Sequence, residues 1–77
     1  MMKRYAAASS VDGQLTGEVV HINLFNVDAI RALRTVKGEN TPSALATMVY
    51  MMGGTAFCVA ESADAVANHV TQALKHI

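Results

Sequence analysis

The sequence predicts an α+β fold, a small antiparallel β-sheet of about four strands packed against one C-terminal helix. Three observations carry that reading. Two β-rich runs, Ala46-Thr47-Met48-Val49-Tyr50-Met51-Met52 and Thr55-Ala56-Phe57-Cys58-Val59-Ala60, flank Gly53-Gly54, a dipeptide that tolerates the positive φ of a tight hairpin turn. Glu18-Val19-Val20-His21-Ile22-Asn23 is a further run rich in β-branched residues. After Ser62, Val66, Val70, Ala73, Leu74 and Ile77 recur at helical spacing.

Taken in order, Lys3 to Ser9 reads as a first strand with Tyr5 its one large anchor, followed by turn chemistry at Asp12-Gly13. Gly17 marks the start of the second strand, Glu18 to Asn23. Asn26-Val27-Asp28 is a bend, because amide and carboxylate side chains there compete for nearby backbone donors. The next segment admits two periods. Ile30 and Leu33 suit a helical turn, whereas Ile30, Ala32, Arg34 and Val36 share one face of a strand, and we read a strand beginning near Ile30. Lys37 to Pro42 is a loop, with Gly38, Asn40 and Pro42 close together.

If the hairpin turn holds only its two glycines, register follows: Met52 pairs with Thr55, Tyr50 with Phe57 and Met48 with Val59 on one face. Val49 then meets Cys58, and Met51 meets Ala56, on the other. Both faces are largely apolar, so both need cover. The C-terminal helix supplies one cover. Ser62 is its N-cap, Asp64 favours the first turn electrostatically, and Lys75 and His76 sit in the last turn, where cations are favoured.

Composition narrows the function classes. A chain of 77 residues is one domain, 1–77, near the size below which a hydrophobic core alone is marginal. Cys58 is the single cysteine and cannot cross-link the chain internally, and His21, His69 and His76 form no i, i+4 ligand pair. No metal and no cofactor is implied. Self-association remains as the added source of stability, in keeping with a 52% apolar composition. Lys and Arg together number six, as do Asp and Glu, so no overall field draws nucleic acid or an anionic surface. The apolar run after Lys3-Arg4 is too short for a signal peptide, which points to a cytoplasmic protein. The uncharged stretch Asn40 to Ala60 is long enough to span a bilayer, but Pro42 and Gly53-Gly54 make it poor helix material, and no membrane insertion is expected.

No catalytic constellation emerges. Gly53-Gly54 lacks the following Lys-Ser/Thr of a phosphate loop. The carboxylates are scattered except for Glu61 and Asp64, which capping and the helix dipole explain. Met48, Met51 and Met52 fill a core or a subunit contact more simply than they form an adaptable binding surface.

From Leu24 onward the chain resembles the FlbD family of small flagellar, or swarming motility, proteins. Leu24-Phe25-Asn26-Val27-Asp28-Ala29-Ile30 is similar to that family's apolar-Asn-x-Asp/Glu-x-Ile segment. Thr47 to Gly54 resembles its strand ending in a glycine turn, and Val59-Ala60-Glu61-Ser62-Ala63-Asp64-Ala65-Val66 its Val-x-Glu-Ser-x-x-x-Val approach to the last helix. The N-terminal segment is longer than that family's, and the loop through Pro42 reads as an insertion. The resemblance implies a β-rich sheet followed by a helix, and it brings no catalytic residues.

The leading expectation is therefore a non-enzymatic, homo-oligomeric interaction or accessory protein, its subunits meeting through Val49, Met51 and Cys58, with a different protein as a further kind of partner. A second expectation is a nucleic-acid-binding regulator that gathers Arg31, Arg34 and Lys37 from several subunits into a basic ring. Nucleic acid is the less favoured partner, because these cations have no aromatic platform beside them in sequence. A third is a small-molecule pocket at a subunit boundary near Tyr50, Phe57 and His69. His69 and His76, seven residues apart, point the same way on the helix and read as boundary residues beside its apolar stripe.

Overall fold

The computed structural model describes residues 1–35 and 44–75. Five strands, β1 (Met2–Ala8), β2 (Leu15–Asn23), β3 (Val27–Thr35), β4 (Ala44–Met51) and β5 (Ala56–Val59), precede one helix, α1 (Ala63–Leu74). They form a single antiparallel sheet in the order β2-β1-β5-β4-β3, one strand more than the sequence suggested. Lys37 to Pro42 and Ile77 lie outside the described residues.

β1 and β2 are joined by the expected turn at Asp12-Gly13. Gly13 takes φ 73°, its N–H donates to the Ser9 carbonyl, and Ser9 N–H donates to the Gln14 carbonyl, both at 2.8 Å. Asp12 Oδ1 accepts from Gln14 N–H at 3.0 Å, the local bond that suits Asp to a turn. Gly17 does not start β2 but interrupts it. Ala6 pairs with Val19 and Ala8 with Leu15, so β2 carries extra residues against β1 and bulges there, with Gly17 at φ 88°.

The bend expected at Asn26-Val27-Asp28 falls earlier, as a single 3-10 turn, Leu24–Asn26, capped by Asn23, whose Oδ1 accepts from Phe25 N–H at 3.2 Å, while Val27 and Asp28 already belong to β3. β3 begins at once, three residues before Ile30, because the chain recovers from Asp28 with a bulge: Val27 pairs with Met51 and Ala29 with Tyr50. Pairing with β4 resolves the ambiguity between helix and strand here, and Ile30 to Thr35 extend in unbroken register against Val49 to Ala44.

The β4–β5 hairpin differs from expectation in one respect that matters. Its loop holds three residues, Met52, Gly53 and Gly54, closed by Met51 N–H donating to the Thr55 carbonyl at 2.7 Å and Gly54 N–H donating to the Met51 carbonyl at 3.1 Å. Both glycines have positive φ, 103° and 99°. The extra loop residue slips the register by one. Val49 pairs with Phe57, Met48 with Cys58, Thr47 with Val59 and Tyr50 with Ala56, and a slip of one exchanges the faces on which side chains of the two strands meet.

The two hairpins meet at a thin seam. Ala7 pairs with Val59, and Ala60 N–H donates to the Ala6 carbonyl at 2.9 Å. α1 closes over one face of the sheet. Its N-cap is Ser62, as expected, accepting from Ala65 N–H at 3.1 Å. Val66 and Ala73 are buried and Val70 is partly buried, whereas Leu74 is half exposed and falls outside the stripe assigned to it. Thr47, itself buried, donates its hydroxyl to the Glu61 carbonyl and so ties β4 to the start of the helix. Tyr5, Ile22, Leu24, Val49, Val59, Val66 and Ala73 form the core. No described helix is long and apolar enough to cross a membrane, and the described part of the uncharged stretch forms β4, its turn and β5.

Candidate functional site

Strand alternation gives the sheet two chemically different faces. Tyr5, Ile22, Ile30, Val49, Phe57 and Val59 face α1 and pack in or against the core. On the far face, Met48 and Cys58 stand side by side at the centre, with Tyr50 next along β4 and Leu33 on β3. These four are only half-buried. Toward the other edge the same face carries Ala6 against Val19, and Met2, with Val19 42% and Met2 61% exposed. Ala8 and Ala46 are buried but stand outside the core cluster. Among the described residues, no second layer of helix or strand covers this face.

Cations rim the apolar centre. Arg4, opposite His21, is exposed on the β1–β2 side. Arg31, opposite Met48, is exposed on β3 with its guanidinium carbon 5.9 Å from the centroid of the Tyr50 ring, a cation–π distance. Burial pushes the Cys58 thiol above its ordinary range, so it is a poor thiolate and behaves as a small apolar group.

The expected interface of Val49, Met51 and Cys58 is not assembled. Val49 is 0% exposed beneath the helix, Met51 packs against the same core, and Cys58 lies on the opposite face. The cause is the three-residue turn. Counting Met52 into the loop would have exchanged Val49 for Met48 as the neighbour of Cys58.

The basic cluster is dispersed too. Arg31 is on the outer face, Arg34 sits at a strand position of opposite parity, paired with Leu45, and Lys37 lies outside the described residues. Three-residue spacing converges on a helix but diverges on a strand. The expected pocket of Tyr50, Phe57 and His69 is likewise divided, since Tyr50 and Phe57 are on opposite faces.

His69 instead meets Tyr5. The phenol oxygen lies 2.7 Å from His69 Nδ1, with ring centroids 5.8 Å apart, and burial, assisted by the charge of Glu61, pushes the phenol above its usual pKa. This contact joins residues 64 apart in the chain. The available sequence signal was position: His69 stands three residues after Val66 and four before Ala73, on the stripe that faces the sheet. Among the described residues no group of three or more His, Cys, Asp or Glu side chains is placed to hold a metal ion. No family model, curated protein or solved structure matches the chain.

Proposed function

We propose that this chain is a small, non-enzymatic interaction protein that associates with a second copy of itself through the outer face of the sheet. The observation that carries the reading is the apolar centre of that face, Met48, Tyr50, Cys58 and Leu33, rimmed by Arg4, His21 and Arg31. An apolar centre within a polar rim is the ordinary anatomy of a protein interface.

A second copy is favoured as the occupant because the core is small for a free-standing domain. Among the described residues nine hydrophobics are buried, three of them alanines, and the largest fully buried side chains are Ile22 and Leu24. Chains of this size that lack disulfides or metals commonly gain the missing stability by oligomerising. The resemblance of residues 24–77 to the FlbD family agrees with a non-catalytic accessory role.

Size limits the strength of the contact. Five strands about 4.8 Å apart and about 23 Å long present a plane of about 550 Å², below the roughly 800 Å² per partner of a standard interface. Association should therefore be weak and concentration-dependent. Sedimentation velocity across the micromolar range is expected to show monomer passing to dimer, and Met48→Lys is expected to hold the chain monomeric with its circular dichroism unchanged. A wild-type monomer throughout that range, or a Met48→Lys dimer as tight as wild type, would remove the reading.

One observation favours a second reading. Arg31 over Tyr50, with Arg4 on the same face, could grip the phosphates of a single-stranded nucleic acid. Salt-dependent retention on an oligonucleotide, lost in Arg31→Ala, would move the assignment there.

A further inference from the structure

On the helix side of the sheet, a crevice of about 190 Å³ opens between the start of β1, the 3-10 turn and the last turns of α1, lined by Met1, Lys3, Leu24, His69, Gln72 and Ala73. Leu24 and Ala73 form an apolar floor, 1% and 0% exposed. The polar lining side chains are Lys3, His69 and Gln72, and among the described residues no carboxylate side chain lines the crevice. We propose that it is a binding site for a small oxyanion, a phosphate or carboxylate group, held by Lys3, His69 and Gln72.

The tautomer of His69 supports that polarity. Burial holds the Tyr5 phenol in its protonated form, and among the described residues its side-chain hydrogen-bond partner is His69 Nδ1. With Tyr5 taken as the donor and Nδ1 as the acceptor, the proton of the neutral ring resides on Nε2 and the imidazole offers a donor from its other edge. Lys3 lies nearby, its ammonium 5.9 Å from the Tyr5 ring centroid, so the same tyrosine ring neighbours both the cationic and the neutral donor. Gln72 follows His69 by three residues, which places the two side chains on neighbouring positions of the helix surface.

Volume sets the ligand class. Pockets for drug-sized molecules run from about 300 to 1,000 Å³, so this crevice admits one anionic group and not a nucleotide. The inference is independent of self-association, which uses the opposite face of the sheet.

The test is a titration of the full chain followed by NMR, with inorganic phosphate and acetate in separate arms at constant ionic strength and chloride as the control. Saturable shifts centred on Lys3, His69 and Gln72 with either anion, absent with chloride, are expected. Phosphate alone or acetate alone would assign the headgroup. Lys3→Gln is expected to weaken binding about tenfold, the loss of one charge-assisted bond, and Lys3→Arg to retain it. Direct observation of the His69 ring nitrogens should find the proton on Nε2 in the free protein. No saturable shift with either anion, the same shifts with chloride, undiminished affinity in Lys3→Gln, or a neutral ring protonated on Nδ1 would each overturn the proposal.

Discussion

Val49→Ala tests the register on which the assignment of the two faces depends. Val49 is 0% exposed, pairs with Phe57 across the hairpin and lies in the core beneath α1. The substitution removes two methyl groups, about 1.6 kcal/mol at roughly 0.8 kcal/mol per buried carbon. The cavity left behind raises the cost to about 2–3 kcal/mol. A domain of this length is stable by about 4–11 kcal/mol in total, so the loss is a large fraction, equivalent to a fall in Tm of about 10–20 °C. Met48→Ala is the control. Met48 is half-buried on the outer face, and in a monomer its truncation should cost about 1 kcal/mol or less. Urea unfolding followed by circular dichroism, at a concentration low enough to exclude association, compares the two. With a two-residue turn, Val49 would stand beside Cys58 on the outer face and the order of the effects would reverse. A Val49→Ala cost no larger than that of Met48→Ala would refute the register.

Gly53→Ala should destabilise by about 1–2 kcal/mol: φ is 103° and nothing lies within 4 Å of an added Cβ, so the cost is backbone strain alone, and unchanged urea unfolding would contradict the turn. Tyr5→Phe should cost about 1 kcal/mol at neutral pH through loss of the bond to His69. Because the folded phenol titrates above its ordinary 10.0, the stability linked to it is full below the unfolded pKa and is lost as pH rises through the folded one, where the unfolded chain releases the proton more readily. Tm measured across that alkaline range should therefore fall less steeply in Tyr5→Phe than in wild type, and parallel slopes would contradict the linkage. Ser62→Ala should cost about 1 kcal/mol by leaving the Ala65 N–H without its acceptor, read as a lower urea midpoint with an unchanged m-value. Alkylation of Cys58 should be slow in the native chain and should dissociate the self-associated form while leaving the monomer folded; unfolding on modification would place the thiol on the core side.

Much of the fold was legible because its signals are local. Ser62 capped a helix where a serine before an apolar 3.6-residue period should, and Asp12-Gly13 turned where a side-chain acceptor and a positive φ were available. Tyr5 anchored β1, and both glycines of the second hairpin took the left-handed conformation only glycine adopts cheaply. The alternation that marks a strand, however, says only that neighbours point to opposite sides. It does not say which side meets the helix. That assignment hung on whether Met52 belonged to β4 or to the turn, and both placements satisfy the glycines.

The same limit explains the candidate sites. Arg31, Arg34 and Lys37 are neighbours in sequence, but pairing of β3 with β4 gives Arg31 and Arg34 opposite parity, while Arg4, distant in sequence, reaches the face of Arg31. Tyr5 and His69 meet only because the sheet order sets β1 beside β5 and α1 folds back across both. Composition and local periodicity determined that the chain would form a sheet, a glycine turn and a capped helix, since those depend on bonds between near neighbours. Tertiary structure alone decided which residues are dry, which face turns away from the helix and which distant side chains meet, because register and strand order are set by contacts between segments far apart in the chain.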